Sequence, residues 1–506
     1  MTTTRRQFAR LAGSIPALSL ATGMGSANAQ AARTLNVGIV SDPVTLDPAM
    51  MASFFEILVQ YNIHEPLLHL TPDLKIEPGL AAVEIVDPVT YRFTLKQGLT
   101  FHDGTTIDAA AAKANFDRML DPATGSPRRG ELGPIDAVEV TAPLTFVVRF
   151  KAPYAPFLQV LANRAGMMVS PSALRSLGAD FATKAVGAGP FKVASWTKNS
   201  ELVLERFAGY WRSGLPSIDR VVFRPIADET VRLANLRSGT LHLVDGVPPQ
   251  SVAQLGREAN VAVKQQPGLG FNAFSFNTTR GVFADARVRR AFVLTMDPDV
   301  IQRVVYFNTG APAYGPIPPS IGWAHDPAFK PNRLDRDGAR KLLADAGHGA
   351  APVPVTITVT NSPLQVRIAE VLQSQANQAG FKVDIKQIDA TSLITVLRQR
   401  DFDLCMSPWS GRSDPDGNMF NYFTKTGPNN FAGWQSDTVT DLLTRARSVV
   451  DQAERARLYR AAETAIAAEM PMLFVHFDAT IQASTSRLDW TQYADGALRL
   501  QFAKLG

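Results

Sequence analysis

The chain has 506 residues, too many for one hydrophobic core, and a globular composition with 45% hydrophobic and 19% charged residues. Its formal charge is +5, but no basic run of five or more residues occurs, so we expect no nucleic-acid partner. The single cysteine, Cys405, excludes an intrachain disulfide and a zinc site built on cysteines.

Residues 1–29 have the pattern of an export signal. A basic start is followed by a mildly apolar stretch and by an Ala-x-Ala cleavage site at 27–29. Residues 4–8 match the twin-arginine pattern, so we predict a twin-arginine signal peptide, cleaved after Ala29. The segment contains three arginines and no acidic residue, and its removal leaves 48 Lys and Arg against 46 Asp and Glu, a formal charge of +2.

The next segments alternate between strand and helix patterns. Residues 34–40 predict a strand, 53–62 a helix and 91–96 a half-buried strand. An alanine-rich helix follows at 107–120, and a hairpin is predicted within 138–150. No later segment has the ~20 uninterrupted apolar residues that a membrane span needs. We therefore expect a periplasmic protein.

A βαβ unit is predicted near the middle of the second half. Residues 353–360 and 381–388 read as strands. The helix between them, 363–378, has Ser362 at its N-cap, Pro363 in its first turn and Gly380 beyond its end. This order predicts a parallel sheet.

Nine segments resemble, in order, those of a known family. The most specific is 91–105, Tyr-Arg-Phe-Thr-Leu-Lys-Gln-Gly-Leu-Thr-Phe-His-Asp-Gly-Thr. The others are 41–48, 61–67, 78–81, 187–192, 274–278, 285–291, 401–404 and 451–460. Together they resemble the extracytoplasmic solute-binding proteins of the dipeptide, oligopeptide and nickel class, family 5, which serve ABC importers.

The resemblance implies an α/β, two-lobed periplasmic-binding-protein fold, type II-like and of the large three-domain class, with a hinge between the lobes. Lobe I would comprise 33–75, 186–273 and 482–506, with a small extra domain, 76–185, packed on it. Lobe III would comprise 274–481. Chain crossings near 272 and 481 would form the hinge, and lobe closure would capture the solute.

The candidate ligand loop is 405–420, which leaves an apolar strand and combines turn formers with Trp409. In peptide-binding relatives, an Asp after the corresponding Trp holds the ligand's amino group, whereas this chain has Arg412. A guanidinium group repels an ammonium group and binds a carboxylate or phosphate. We therefore expect a solute with an anionic group. The alternative is that Arg412 pairs internally with Asp414 or Asp416. Asp414 matches the family's Asp-Pro and is also a candidate ligand residue.

Further ligand candidates lie in other segments. Arg367 is in the first turns of the 363–378 helix, where related peptide binders use an Arg for the ligand carboxylate; its alternative is a solvated helix residue. The remaining candidates, expected as pocket walls or at a strand end, are Phe271, Asn272, Tyr422 and Ser41.

Catalytic and metal motifs are missing from the sequence. His64 and His69 are five residues apart and Pro66 lies between them, so the segment favours a structural turn over a zinc-hydrolase motif. We expect no enzyme activity, no catalytic residue, no metal and no cofactor. The predicted function is that of a monomeric substrate-binding component of an ABC importer, with an inner-membrane permease as partner and a small peptide-like or organic-acid solute. A binder of a metal chelate, haem or another solute, and an exported hydrolase, remain alternatives.

Overall fold

The computed structural model describes residues 32–506. The predicted signal peptide, residues 1–29, lies outside the described residues. Residues 33–506 form one compact unit, built around two large sheets and a smaller one.

The first large sheet has seven strands drawn from three separate stretches of the chain. Thr34–Ile39 lies in the centre of the sheet and runs parallel to both of its neighbours. The spatial order is Phe191–Thr197, Glu201–Arg206, Arg220–Pro225, Thr34–Ile39, Leu243–Asp245, Ala479–Thr485 and Val261–Pro267.

The second large sheet has six strands, all from the later part of the chain. Val353–Thr360 pairs in parallel with Phe381–Ile388 and with Leu404–Met406, which confirms the predicted parallel βαβ unit. The spatial order is Ala311–Pro312, Met472–Phe477, Asn272–Phe276, Leu404–Met406, Val353–Thr360 and Phe381–Ile388.

The βαβ helix runs over Pro363–Asn377, one residue shorter than predicted. Ser362 is its N-cap residue, but the Ser362 side chain makes no capping hydrogen bond. Ile368 and Leu372 lie on its buried face, at the spacing of one helical turn. Gly380 adopts φ +98°, a left-handed conformation that glycine reaches without strain.

The small sheet has four antiparallel strands, and its aromatic core includes the stacked pair Phe93 and Phe146, 5.0 Å between ring centroids. Its strands in spatial order are Ala81–Asp87, Thr90–Leu95, Thr145–Phe150 and Ile135–Ala142. Three two-stranded pairs are Glu65–Pro66 with Met167–Met168, Leu68–Leu70 with Ile76–Pro78, and Leu488–Asp489 with Lys504–Leu505.

The chain passes between the two large sheets twice. It leaves the seven-stranded sheet after Pro267 and enters the six-stranded sheet at Asn272. It returns between Phe477 and Ala479. The two crossings touch, because the Gly268 backbone N–H donates to the Asp478 carbonyl at 2.8 Å. The predicted lobe and domain boundaries stay a prediction, since sheet membership alone does not define a domain.

None of the helices within residues 32–506 combines the length and apolarity needed to cross a membrane. The α-helices are Phe54–Ile63, Ala109–Leu120, Phe157–Leu161, Pro171–Leu177, Glu229–Arg237, Val252–Leu255, Ala286–Leu294, Pro298–Val304, Arg336–Asp345, Pro363–Asn377, Leu393–Gln399, Pro415–Phe423, Asp437–Ser448 and Gln452–Glu469.

Candidate functional site

The loop 407–414 leaves strand Leu404–Met406 and lies against the first crossing. Trp409 and Phe271 exchange two backbone hydrogen bonds, of 2.9 and 3.0 Å. Gly411 has φ +80°, and a Cβ added there would overlap the Leu269 carbonyl group. Only glycine allows this conformation and this close approach together. The loop is therefore fixed directly on the crossing segment.

Asn418 holds the shape of this loop. Its side-chain oxygen accepts from the Trp409 indole N–H and from the Arg412 backbone N–H, both at 2.9 Å. Its amide nitrogen donates to the carbonyl groups of Leu269 and Pro316 at 3.1 and 3.2 Å. Because Asn418 is fully buried and uses both ends of its amide, it fixes Trp409 and Arg412 in place.

Asp414 at the end of this loop and Asp416 in the following helix both pair with arginines inside the protein. Asp414 caps helix Pro415–Phe423 and pairs with Arg455 at 2.8 Å, with side chains 6% and 8% exposed respectively. Asp416 pairs with Arg447 through bonds of 2.9 and 2.7 Å. The alternative that Arg412 pairs with Asp414 or Asp416 is therefore wrong, because both carboxylates already have other arginines.

Arg412 reaches a carboxylate in a distant part of the chain. Its Nε and Nη2 donate to Glu131 Oε1 at 3.1 and 2.7 Å. Its Nη1 donates to the Gly411 carbonyl at 2.7 Å, and the guanidinium carbon lies 4.6 Å from the centre of the Trp409 ring. A guanidinium group has five N–H donors. Two of them, one on each terminal nitrogen, remain for another acceptor.

Glu131 is shared by more than one arginine. Arg128 Nη1 donates to the same oxygen, Oε1, at 2.7 Å. Burial by itself raises the pKa of Glu131, but the positive charges of Arg412, Arg128 and Arg164 outweigh burial and lower it to about 2. Glu131 is therefore ionised at neutral pH.

Arg164 is the unusual member of this cluster. It is 7% exposed, and within the described residues its guanidinium group forms no ion pair and its Nε has no hydrogen-bond partner. Burial, and then the charges of Arg412 and Arg128, lower the pKa of Arg164 to about 9. Arg128, Arg164 and Arg412, which we name the arginine cluster, thus surround one shared carboxylate. The nearby Glu56 is committed to the backbone N–H groups of residues 52 and 53.

Two cavities meet the loop 407–414. The smaller, about 50 Å³, lies beside Glu131, Asn163 and Arg412. The larger, about 360 Å³, lies between the two crossings and is bordered by Asp245, Asp478 and Asp495. We name the larger one the hinge cavity. Trp409 borders both cavities, and the larger volume is in the range of small-molecule sites.

One wall of the hinge cavity is a hydrogen-bonded group at the crossings. Asn272 Nδ2 donates to both carboxylate oxygens of Asp478, at 2.8 and 2.9 Å, and lies 3.1 Å from the Tyr306 hydroxyl. The ring of Tyr306 stacks on His476 with 3.4 Å between centroids. The two ring nitrogens of His476 face Asp478 Oδ1 at 3.1 Å and the Thr309 carbonyl at 2.9 Å.

The other predicted ligand residues differ in how far they are buried. Phe271 and Tyr422 are buried and support Trp409, with 5.9 Å between their own ring centroids and 5.4 Å from Tyr422 to Trp409. Ser41 is half-buried and donates to the neighbouring Asp42 carbonyl at 3.4 Å. Arg367 is exposed, and Leu364 of the same helix borders the hinge cavity. Their roles in binding stay predictions.

Sequence patterns did not reveal several residues of the site. Glu131 and Arg412 are 281 positions apart, and Arg128 and Arg164 lie in irregular segments without a periodic pattern. Asp478 could have been proposed from the sequence, because it is a charged residue directly after an apolar strand at a predicted crossing. Asp245 carried a similar signal at the end of strand Leu243–Asp245.

Reactive groups and metal ligands are not gathered at this site. Cys405 is buried, and burial raises the pKa of its thiol to about 12, so little reactive thiolate forms at neutral pH. Within residues 32–506, no group of three or more His, Cys, Asp or Glu side chains is placed to hold a metal ion. His69 instead bonds to the buried Glu65 at 2.7 Å.

The sequence profile of the bacterial extracellular solute-binding proteins, family 5 (middle region), matches residues 75–431. The chain belongs to this family. Family 5 membership confirms the resemblance drawn from the nine ordered segments. It also means that the chain is a periplasmic solute-binding protein of the kind that serves ABC importers.

Named family 5 relatives match nearly the whole chain. A glutathione-binding protein, GsiB, of Escherichia coli O157:H7 is 30% identical, over 93% of this chain and 94% of its own length. The periplasmic binding protein DppA of Helicobacter pylori, in complex with the peptide STSA, is 26% identical with a TM-score of 0.82, over 93% and 98% of the two chains. AgaA of A. tumefaciens R10, in complex with agropinic acid, is 27% identical with a TM-score of 0.81, over 94% and 99%.

These structural matches confirm the predicted two-lobed α/β fold of family 5. The homologues are binding proteins, which agrees with the expectation of a binding rather than a catalytic role. The arginine cluster and the hinge cavity therefore lie in a solute-binding protein. Their charges bear on which kind of solute it binds.

Proposed function

We propose that this family 5 protein captures a small solute carrying a carboxylate or similar anionic group, either peptide-like or an organic acid. The observation that carries the proposal is the buried guanidinium group of Arg164, which contacts no carboxylate within the described residues and shares the charge of Glu131 with Arg128 and Arg412. A buried charge that is not fully compensated costs several kcal/mol. A ligand anion at the arginine cluster would supply the missing negative charge.

The local charge balance supports an anion at this position. Three guanidinium groups surround Glu131, and two N–H donors of Arg412 have no acceptor among residues 32–506. Paired N–H donors in a partly dry site favour carboxylate and phosphate groups. Trp409 gives the solute an apolar surface beside these charges.

The named relatives are compatible with an anionic solute. Glutathione, the peptide STSA and agropinic acid all carry a carboxylate, and they are bound by GsiB, DppA and AgaA respectively. We use them as probes for this chain.

Further parts of the proposal concern transport. We propose that lobe I (33–75, 186–273 and 482–506), with the domain 76–185, closes on lobe III (274–481) around the solute by bending at the two crossings. The closed monomer would then dock on an inner-membrane permease. Residues 1–29 would direct export by the twin-arginine route, and the chain would act without catalysis and without nucleic acid.

Calorimetric titration of the mature protein tests the ligand class. Glutathione, the peptide STSA and agropinic acid are compared with their amide or ester derivatives, which lack the free carboxylates. We expect at least one free acid to bind, at least tenfold tighter than its derivative, and Arg164→Gln to remove most of this preference. Arg398→Gln, an exposed arginine, is the matched control. Equal affinity for acids and derivatives, or no binding of any acid, would overturn the proposal.

A further inference from the structure

The hinge cavity has a charge opposite to that of the arginine cluster. Asp245, Asp478 and Asp495 border it, and none of the described residues along its wall is Lys or Arg. Asp495 is neutralised by Arg499 through bonds of 2.9 and 2.7 Å. Asp478 lies 3.1 Å from a ring nitrogen of His476. Asp245 differs from Asp495, because no arginine or lysine contacts its carboxylate among the described residues.

Asp245 is a buried carboxylate with one hydrogen bond from a side chain. It is 5% exposed, and Oδ1 accepts from the Gln482 amide at 3.0 Å. It forms no ion pair within the described residues. Arg232, whose charge acts on Asp245, donates instead to the carbonyl groups of Ile226, Ala227 and Gly246. Asp245, which borders the cavity, therefore has neutral hydrogen-bond donors but no cation in contact among the described residues.

Burial raises the pKa of Asp245 to about 6, against the lowering effects of Gln482 and Arg232. At neutral pH the group is still mostly ionised. A cation entering the cavity would relieve the unfavourable burial of this charge. Asp478, 52% exposed, borders the same cavity.

We propose that the hinge cavity binds the ammonium group of the solute, with Asp245 and Asp478 as its carboxylate partners. This inference rests on the proposed function, because it adds a cationic end to an anionic ligand. The solute is then dipolar: its anionic end lies at the arginine cluster and its amino end lies at the hinge, with Trp409 between the two subsites. An amino-acid conjugate or a short peptide has this chemistry.

An amino group bound at this position would also favour closure of the two lobes. Asp245 ends a strand of the seven-stranded sheet, whereas Asp478 lies in the second crossing between the sheets. A cation held by both carboxylates links one lobe to the hinge itself. A solute without an amino group makes the contacts at the arginine cluster but lacks this link.

The test compares probes that differ only in their amino group. Glutathione and the peptide STSA are titrated beside their N-acetylated forms, and glutarate serves as a carboxylate without nitrogen. We expect the free amines to bind at least tenfold tighter than the acetylated forms in the unmodified protein. We expect this ratio to fall below threefold in Asp245→Asn and to decrease in Asp478→Asn. Asp384→Asn, an exposed carboxylate on another sheet, should retain the full ratio.

The possible failures are distinguishable. Equal binding of free and acetylated forms, or an unchanged ratio in Asp245→Asn, overturns the amino subsite and leaves the anionic function intact. Binding of amine probes regardless of their carboxylate overturns the anionic function instead. If none of the probes binds, both proposals fail.

Discussion

Arg412 and Glu131 join the loop 407–414 to the segment Arg129–Leu132 through two hydrogen bonds to one carboxylate oxygen, at 3.1 and 2.7 Å. The two side chains are 18% and 23% exposed, respectively. The carboxylate of Glu131 occupies part of the donor set that a ligand anion would need. The proposed ligand anion would therefore compete with Glu131 for the same guanidinium group.

Glu131→Gln tests this competition. Removal of the charge leaves three arginines without their shared carboxylate, which we expect to destabilise the ligand-free protein by about 1–3 kcal/mol. Affinity for a carboxylate ligand should rise in the same variant, because the internal competitor is gone. Chemical denaturation measures the first effect and calorimetric titration the second. Glu139→Gln, whose pair with Arg149 is about half exposed, should change neither. A weaker binding of carboxylates would contradict the competition.

Gly411→Ala should disturb the contact between the loop and the first crossing. The left-handed backbone alone costs about 1–2 kcal/mol for alanine. The added Cβ also overlaps the Leu269 carbonyl, so we expect a larger loss of stability and a weaker ligand affinity. Gly347→Ala is the matched control, because Gly347 has φ +89° and open space around its Cβ position. Equal losses of stability in the two variants would show that the close approach does not matter.

Individual strands and helices were predictable because their signals are local, whereas the two-lobed architecture was implied by the family resemblance. Turn residues, caps and alternating apolar positions placed Val353–Thr360 and Phe381–Ile388 at their observed bounds. The position of Arg412 after a buried strand likewise marked the candidate loop. The partner of Arg412 was not predictable from sequence. Asp414 and Asp416 lie within four residues of Arg412 and are the obvious candidates, but they pair with Arg455 and Arg447 from later helices.

The same limit applies to both subsites. The charge of Arg164 or Asp245 is visible in the sequence, but the absence of a counter-ion depends on every segment that folds around it. A surface arginine and a buried unpaired one look alike in sequence. Only the tertiary structure separates them, and the cost of burial then points to a ligand.

Arg455→Met tests the structural role of Asp414. Both members of this pair are almost fully buried, and removal of the arginine leaves a buried carboxylate without a counter-ion. Such a loss costs about 3–5 kcal/mol. Arg457→Met on the same helix is the control, because Arg457 is 62% exposed in its pair with Glu454 and should cost less than about 1 kcal/mol. Urea denaturation compares them, and a similar loss in both variants would contradict a structural role for Asp414.

Glu463 should make the stability of the protein depend on pH. It is 4% exposed, and burial raises its pKa to about 8, against a smaller lowering effect of the Ile317 backbone N–H. The folded state thus keeps a proton that the unfolded state releases above pH ~4.3. The contribution of Glu463 to the free energy of unfolding is therefore greatest below that pH. It decreases as the pH rises towards 8, by about 3 kcal/mol at pH 7.

Glu463→Gln removes this titration. We expect the variant to gain stability over the unmodified protein as the pH rises from 5 to 8, with little difference at pH ~4, where both states are protonated. Denaturation curves at several pH values measure the difference. Glu370→Gln, at an exposed position of helix Pro363–Asn377, should follow the unmodified protein throughout. A constant difference between Glu463→Gln and the unmodified protein at all pH values would mean that Glu463 does not hold the proton.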